Sequence, residues 1–461
     1  MRVVLTTDTQ GDTWFDDCRI SCPRSDTKTV TLHLDSKHII TDHWQGFGFS
    51  GDIFPFAPGM TDADRRLIRE RVRIMRPQLV RVYCAVADWE AEYGKRTPDT
   101  EGMRRLCETL DIYKQAGADI QLHEWGYTFP EWCRAKERTI HPEERRHFTD
   151  SFADMVKYLR DDRGFSNIKY VTIYNEPNWG GVSWEDYAAV YRSLDASLKS
   201  AGLREQVAVL GPDEANERKW LPKAVSELND AMDCYEVHNY TCDTGSEFGS
   251  FIGVRVLDLP ASRSKTMVPP RKRLVISEFG MCDGMSTWEN PNVNSYKYGM
   301  FLADSAIAAA NAGVSGMLVW CLMDVDFGGD LKWGLWKSKS EGWEPRPGYY
   351  AWSLITRYTE RDSMVYPLQS DAEGVDAVAF HAPVKGSWTL LAVNRQTDAR
   401  PFRILGLPAA SKWQPFIYCK ESVPALDRKM IPSSKLIRAD RSRNLTGVLP
   451  GNSFVLWHET K

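Results

Sequence analysis

Short β-rich runs alternate with amphipathic helical runs from about Trp44 to Tyr358, and this alternation constrains the fold more than any other feature. Gly46–Phe49 begins a series of eight predicted β/α pairs. Alternating β/α units favour a parallel sheet, and eight of them suit a closed barrel with insertions. The sequence therefore predicts an α/β fold, a (β/α)8 TIM barrel. A doubly wound open sheet is the alternative architecture.

The boundaries of several elements follow from local signals. Thr61 and Asp64 form a capping signal for one helix, and Ser183 and Asp186 form one for another. Short apolar runs mark the later barrel strands. They predict strands five, six and seven at Val207–Leu210, Cys234–His238 and Leu274–Ile276.

The helical pattern stops after about Ser363, and short strand candidates separated by Gly, Pro and Asp follow. Such a composition is typical of a β-sandwich. Thr29–Ile40 is also strand-like, and we expect it to join that sandwich. The predicted domains are N-terminal strands at 1–43, the barrel at 44–360 and the C-terminal β-sandwich at 361–461.

Charge and aromatic content narrow the partners. Lys and Arg total 58 against 62 acidic residues, a net charge of −4, so a nucleic-acid partner is not expected. The 17 Trp, 18 Tyr and 18 Phe suit stacking against flat or apolar ligand faces. The oligomeric state stays open.

No targeting signal or membrane span is predicted. Met1–Gly11 is too short and polar for a signal peptide, and Asn311 and Gly313 interrupt the apolar stretch Ser305–Met323. The ten Cys show no tight disulfide framework. We expect a cytoplasmic protein with mostly reduced thiols, or a secreted one if a leader has been removed.

Two glutamates follow predicted strands at the barrel end where functional residues lie. Asn175-Glu176-Pro177 follows the fourth strand, and Glu278 follows the seventh. The two acids can therefore face each other across the barrel mouth. Paired carboxylates perform glycoside hydrolysis, one as acid/base and the other as nucleophile. A solvated strand end is the alternative for either acid alone.

These motifs resemble those of the clan A glycoside hydrolases, which are retaining enzymes on a β/α barrel. Members of the clan have Asn-Glu after strand four and a nucleophilic Glu after strand seven. Several also have Arg on strand two, His-x-Tyr after strand six and Trp on strand eight. Arg81, His238-Asn239-Tyr240 and Trp320 occupy those places here.

Within the clan, the domain arrangement is most similar to the family of glucosylceramidases and β-1,6-glucanases, glycoside hydrolase family 30. The segment Trp44–Gly48 resembles the start of that family's barrel. The resemblance implies a retaining hydrolase of an oligosaccharide or other glycoside, with Glu176 as acid/base and Glu278 as nucleophile. A transglycosylase with the same intermediate and a non-catalytic carbohydrate-binding barrel are the alternatives.

The expected substrate-binding residues surround the two acids. They are Arg81, Trp125, Asn175, Trp179, His238, Tyr240 and Trp320. A structural ion pair is the alternative for Arg81, and a hydrogen-bonded structural histidine is the alternative for His238. Asp213, Glu214, Asp324 and Asp326 also follow strands and could bind hydroxyls, but we expect them to be solvated loop acids. No metal or other cofactor is expected, because Cys234, His238 and Cys242 lack a fourth ligand.

Overall fold

Eight parallel strands close into a barrel in the computed structural model, which describes residues 28–51, 59–215, 219–242, 258–282, 290–326, 330–424 and 430–460. In chain order, barrel strands one to eight are Gly46–Ser50, Leu79–Cys84, Asp119–Glu124, Ile168–Ile173, Ala208–Ala215, Cys234–Cys242, Arg273–Cys282 and Gly316–Val319. The last strand pairs with the first, with Met317 opposite Phe47. The predicted barrel is confirmed, and the open sheet is excluded.

Helices follow the strands around the barrel. Their bounds are Asp62–Met75, Val86–Trp89, Glu101–Gln115, Arg145–Lys157, Trp184–Ser200, Trp220–Glu227, Asp258–Met267, Tyr296–Asn311 and Pro347–Tyr358. Thr61 and Asp64 form a capping box, and the Ser183 side chain accepts a hydrogen bond from the Asp186 N–H. Both predicted helix starts are confirmed. None of the described helices is long and apolar enough to cross a membrane.

The barrel interior changes from apolar to polar along its axis. Near the amino ends of the strands lies a buried apolar cluster of Leu79, Leu210, Cys234, Val275 and Leu318. Residues two apart on a strand face the same side. Arg81 and Glu236 therefore lie one layer above Leu79 and Cys234, and both are fully buried. Tyr83 and His238 follow in the next layer, so polar groups accumulate towards the carboxyl ends.

A second sheet of ten strands lies outside the barrel. Its members are Val30–Leu34, Thr41–Trp44, Ser363–Ser370, Val375–His381, Trp388–Asn394, Arg400–Leu405, Lys412–Tyr418, Ile437–Arg438, Leu445–Leu449 and Ser453–Thr460. Phe402 and Trp457 come from strands that are not neighbours in the sheet, yet their ring centroids are 5.2 Å apart. The sheet therefore folds over an apolar core, which confirms the predicted β-sandwich.

The sandwich strand Val375–His381 contributes side chains to two hydrophobic cores. Ala377 and Ala379 face the sandwich interior, whereas Val378 and Phe380 belong to the barrel core. The Phe380 ring packs edge-on against Trp44 at 5.4 Å and Phe47 at 5.7 Å. Successive side chains of a strand point to opposite faces, and this alternation joins the two domains.

The described cysteine side chains carry no disulfide. Cys84, Cys107, Cys133, Cys234, Cys321 and Cys419 are free thiols, all of them buried except the half-buried Cys419. Residues 1–27, which include Cys18 and Cys22, lie outside the described part of the chain.

Candidate active site

Glu176 and Glu278 meet at the carboxyl end of the barrel. Glu176 lies in the loop after strand four, and Glu278 lies within strand seven. A carboxylate oxygen of each residue and a ring nitrogen of His238 all lie within 4.8 Å of one another. The side chain of Glu278 is 6% exposed and that of Glu176 is 19% exposed. The acids thus differ in access to solvent.

Two donors, Arg81 and Tyr240, hold the carboxylate of Glu278, and the Tyr83 hydroxyl lies nearby. Arg81 donates through Nη1 to Oε1 at 2.5 Å, and Tyr240 donates its hydroxyl to Oε2 at 2.7 Å. The Tyr83 hydroxyl lies 3.3 Å from Oε1. Hydrogen bonds to an ionised carboxylate are stronger than neutral ones, so these groups fix the orientation of Glu278.

Arg81 connects several parts of the site. The side chain is fully buried, and its Nη2 donates to Asn175 Oδ1 at 2.6 Å while Nε donates to His123 Nδ1 at 2.9 Å. The Tyr83 hydroxyl also donates to Asn175 Oδ1, at 2.6 Å. Arg81 is therefore both a barrel ion-pair partner and a direct contact of Glu278. The structure thus shows the ion pair of Arg81 with Glu278, and the expected part of Arg81 in binding substrate stays a prediction.

His238 bridges two carboxyl groups. Its Nδ1 lies 2.8 Å from Glu176 Oε1, and its Nε2 lies 2.8 Å from Asp213 Oδ1. Burial alone would lower the pKa of His238, but the negative charges of Asp213 and Glu278 raise that pKa to about 10. The ring is therefore an imidazolium at neutral pH and donates from both nitrogens. One atom each of Glu176, His238 and Glu278 also lies at a separation that could suit a metal ion, and the expectation that no metal is bound stays a prediction.

Asp213 is a fully buried part of this network, so the prediction of a solvated loop acid was wrong. It accepts hydrogen bonds from His238, from Ser277 Oγ at 3.2 Å and from the Glu176 N–H at 3.3 Å. Burial would raise the pKa of Asp213, but the charges of His238 and Arg81 hold it well below its usual range. The turn-like sequence Gly211-Pro212 hid a strand that continues to Ala215.

Glu214 and Asp324 are also buried, which overturns the same expectation for them. Glu214 caps the next helix by accepting from the N–H groups of Trp220 at 2.8 Å and Leu221 at 2.9 Å. Asp324 accepts two hydrogen bonds from Arg346, at 2.7 and 2.8 Å. Each acid is buried because its charge is compensated by specific donors. Both groups therefore support the loops rather than offer free carboxylates.

The predicted aromatic residues differ in exposure. Trp320, at the end of strand eight, is 8% exposed and packs in a cluster with Trp333. Trp125 is half-buried, and its ring centroid is 5.8 Å from that of Tyr83. Trp179, on the loop after Glu176, is 57% exposed. Trp320 and Trp125 thus adjoin tyrosines that contact Glu278, while Trp179 lies at the surface.

Tyr83 and His123 are residues of this site that the sequence motifs did not indicate. Tyr83 is two residues from Arg81 on the same strand, so period-two alternation could have found it. His123 lies opposite Tyr83 in the strand register and accepts from Arg81. No motif in a single sequence marks His123.

The backbone around the site adopts unusual conformations. Tyr174, Glu176 and Asp213 have φ values of 74°, 45° and 56°, in the left-handed region that favours glycine. Such a conformation costs about 1–3 kcal/mol for other residues, and it persists where the surroundings enforce it. These residues flank the carboxyl groups of the site. Their strain agrees with a functional role for the ends of strands four and five.

Comparisons with known proteins find matches only among solved structures. No protein-family profile matches the sequence, and no curated protein does. An endoxylanase of glycoside hydrolase family 30 from Clostridium papyrosolvens C71 has a TM-score of 0.66 at 13% identity, covering 94% of this chain and 100% of that one. A family 51 α-L-arabinofuranosidase from Bifidobacterium longum has a TM-score of 0.65 at 14% identity, covering 94% and 99%.

An endo-β-1,6-glucanase also matches, with a TM-score of 0.64 at 16% identity and coverage of 95% of each chain. At these identities the likeness shows the fold. The resemblance inferred from the motifs is confirmed for the fold: this barrel and its sandwich have the fold of these glycoside hydrolase structures.

Proposed function

We propose that this chain is a retaining glycoside hydrolase in which Glu278 is the nucleophile and Glu176 the acid/base. The close approach of the two carboxyl groups carries the proposal, since one oxygen of Glu176 lies within 4.8 Å of one oxygen of Glu278. Retaining enzymes hold these groups about 5–5.5 Å apart, whereas inverting enzymes need about 6.5–9.5 Å to admit a water molecule. The short separation supports attack by the carboxylate itself.

The donors around Glu278 suit a nucleophile. Arg81 and Tyr240 hold the two carboxylate oxygens from different directions, which aims the group before substrate binds. In the first step a Glu278 oxygen bonds to the anomeric carbon while Glu176 protonates the departing oxygen. In the second step Glu176 removes a proton from water, which attacks the same carbon and releases Glu278.

The buried charges support Glu176 as the proton donor. The cations Arg81 and His238 balance the anions Asp213 and Glu278. Of the two acids, Glu278 pairs with Arg81 at 2.5 Å, which suits the anionic nucleophile and leaves Glu176 as the proposed proton donor. When the glycosyl ester forms, the negative charge passes from Glu278 to Glu176. His238 Nδ1 lies 3.3 Å from Glu278 Oε2 and 2.8 Å from Glu176 Oε1, so it stabilises the charge on either acid.

The remaining residues suit a sugar substrate. Arg81 and Tyr83 hold Oδ1 of Asn175, so the amide N–H groups of Asn175 can donate to a hydroxyl beside the reacting carbon. Trp320 and Trp125 offer aromatic faces for the apolar side of a sugar ring.

The direct test is a panel of aryl pyranosides, aryl furanosides and oligosaccharides, with NMR of the first anomer released. We expect hydrolysis with retention, and loss of turnover in Glu278→Gln but not in a variant of the exposed Glu373, Glu373→Gln. An inverted first product would exclude the proposed nucleophile. Longer oligosaccharides in place of free sugar would indicate a transglycosylase. Sugar binding without turnover of any substrate would indicate a carbohydrate-binding protein.

A further inference from the structure

We propose that Arg138 is a positioning residue that fixes the main chain of Glu176 and thereby aims its carboxyl group. This inference rests on the proposed acid/base role of Glu176. Arg138 lies outside the barrel strands, and none of the sequence motifs marks it.

Arg138 enters the site from a short hairpin after strand three. The hairpin strands are Arg134–Lys136 and Thr139–Ile140, with Lys136 opposite Thr139, so Arg138 lies in the connecting turn. Arg134 and Lys136 are exposed, whereas Arg138 is 3% exposed. Burying a cation is costly unless polar groups compensate it. The hairpin therefore places the guanidinium of Arg138 against the loop that contains Glu176.

The compensating groups are main-chain carbonyls of that loop. Arg138 Nη2 donates to the carbonyl of Asn175, and Nη1 lies 3.4 Å from the carbonyl of Glu176. No carboxylate among the described residues forms an ion pair with Arg138 within 4.0 Å, and its Nε makes no hydrogen bond there. An ordinary structural salt bridge thus does not account for its burial.

Two further residues hold the guanidinium in place. The Tyr127 ring covers it, with 3.8 Å between the guanidinium carbon and the ring centroid. A cation over an aromatic face at this distance is attracted by the ring. Gly180 also lies against it, because a Cβ atom at position 180 would be 1.5 Å from Nη1. Only glycine leaves room for Arg138 at this point.

The main chain of Glu176 is thereby held on both sides. Its N–H lies 3.3 Å from Asp213 Oδ2, and its carbonyl and the preceding one face Arg138. A φ of 45° is unfavourable for glutamate, so contacts must enforce it. Releasing the carbonyls should let Glu176 relax and move its carboxyl group away from the leaving oxygen.

The test compares two substrates of one sugar, a dinitrophenyl glycoside and an alkyl glycoside. A dinitrophenolate departs without a proton, so only the alkyl glycoside depends on a well-aimed acid. In Arg138→Met we expect kcat on the alkyl glycoside to fall about 100-fold. The rate at which the dinitrophenyl glycoside glycosylates the enzyme should fall less than about threefold. KM should change little. The alkaline limb of the pH profile should move to higher pH, because a cation near Glu176 is lost.

Matched variants separate positioning from general stability. Gly180→Ala should reproduce the contrast by displacing the guanidinium, and Arg138→Lys should restore part of the lost rate. Arg134→Met, which removes an exposed charge from the same hairpin, should behave as wild type. Equal losses on both substrates, with an unshifted pH profile, would overturn the positioning role. A wild type inactive on both substrates and on the wider panel would instead refute the proposed hydrolase.

Discussion

At the scale of single residues, the buried acid Glu236 differs from the acids of the site because no cation donates a hydrogen bond to it in the described part of the chain. Glu236 lies one layer below His238 and accepts hydrogen bonds from Thr172 Oγ1 at 2.6 Å and Gln121 Nε2 at 2.5 Å. Both of those donors are neutral. Burial and the negative charge of Asp213 raise the pKa of Glu236 to about 7. Ionising this group in the folded protein is therefore unfavourable.

Glu236→Gln should stabilise the protein at alkaline pH relative to wild type. A carboxyl whose pKa is raised on folding contributes stability below its unfolded pKa of about 4.3, and that contribution is lost as the pH rises through about 7. Among the described residues Gln121 Oε1 has no hydrogen-bond partner, and it could accept from the new amide after a flip. In thermal melts at pH 5 and pH 8, the gain in Tm should be larger at pH 8. An equal difference at both values would contradict the argument.

The sequence was sufficient to place five residues of this site. Glu176, Glu278, Arg81, His238 and Tyr240 come together because each lies on a parallel barrel strand or in the loop that follows it. The sequence alone did not predict which buried groups compensate the charges of these residues. Compensation depends on contacts between distant strands, and no spacing rule encodes those contacts.

At the scale of elements, the later barrel strands extend further than their apolar runs. Strand five reaches Ala215, strand six Cys242 and strand seven Cys282, all beyond the predicted ends. Polar residues such as Asp213 and Ser277 break the hydrophobic pattern that marks a strand. Main-chain pairing continues through them, because backbone hydrogen bonds do not require apolar side chains. Strand boundaries were therefore least predictable where the site is built.

Helix starts were more predictable, because their signals are local. The Thr61 side chain accepts from the Asp64 N–H, and Asp64 accepts in return from the Thr61 N–H at 2.7 Å. Thr61→Ala should lower the free energy of unfolding by about 1 kcal/mol. Urea unfolding followed by circular dichroism would measure it. Thr61→Ser keeps the hydroxyl, so its free energy of unfolding should stay near that of wild type. If Thr61→Ser lost as much stability as Thr61→Ala, the hydroxyl cap would not be the cause of the loss.

At the scale of the whole molecule, the sandwich covers part of the barrel core. Val378 and Phe380 pack into that core, together with Leu391 and Leu456 from neighbouring strands. The sequence predicted both domains, but not which strand faces join them, because both faces of these strands are apolar. The shared core implies that barrel and sandwich unfold together.

Phe380→Ala should destabilise both domains at once. The ring contacts Trp44 and Phe47, and removing a buried phenylalanine costs about 3–5 kcal/mol. Calorimetry should show a single transition shifted to lower temperature. Two separate transitions in the variant, one of them at the wild-type temperature, would show that the domains are independent.

The assignment of Glu278 and Glu176 is the central claim, and azide rescue tests it most directly. Both Glu278→Ala and Glu176→Ala would be given a dinitrophenyl glycoside and azide, with NMR of the glycosyl azide formed. In Glu278→Ala, azide replaces the nucleophile, so the product should be inverted. In Glu176→Ala, azide attacks the ester on Glu278, so the product should be retained. The opposite pair of configurations, or no rescue of either variant, would contradict the assignment.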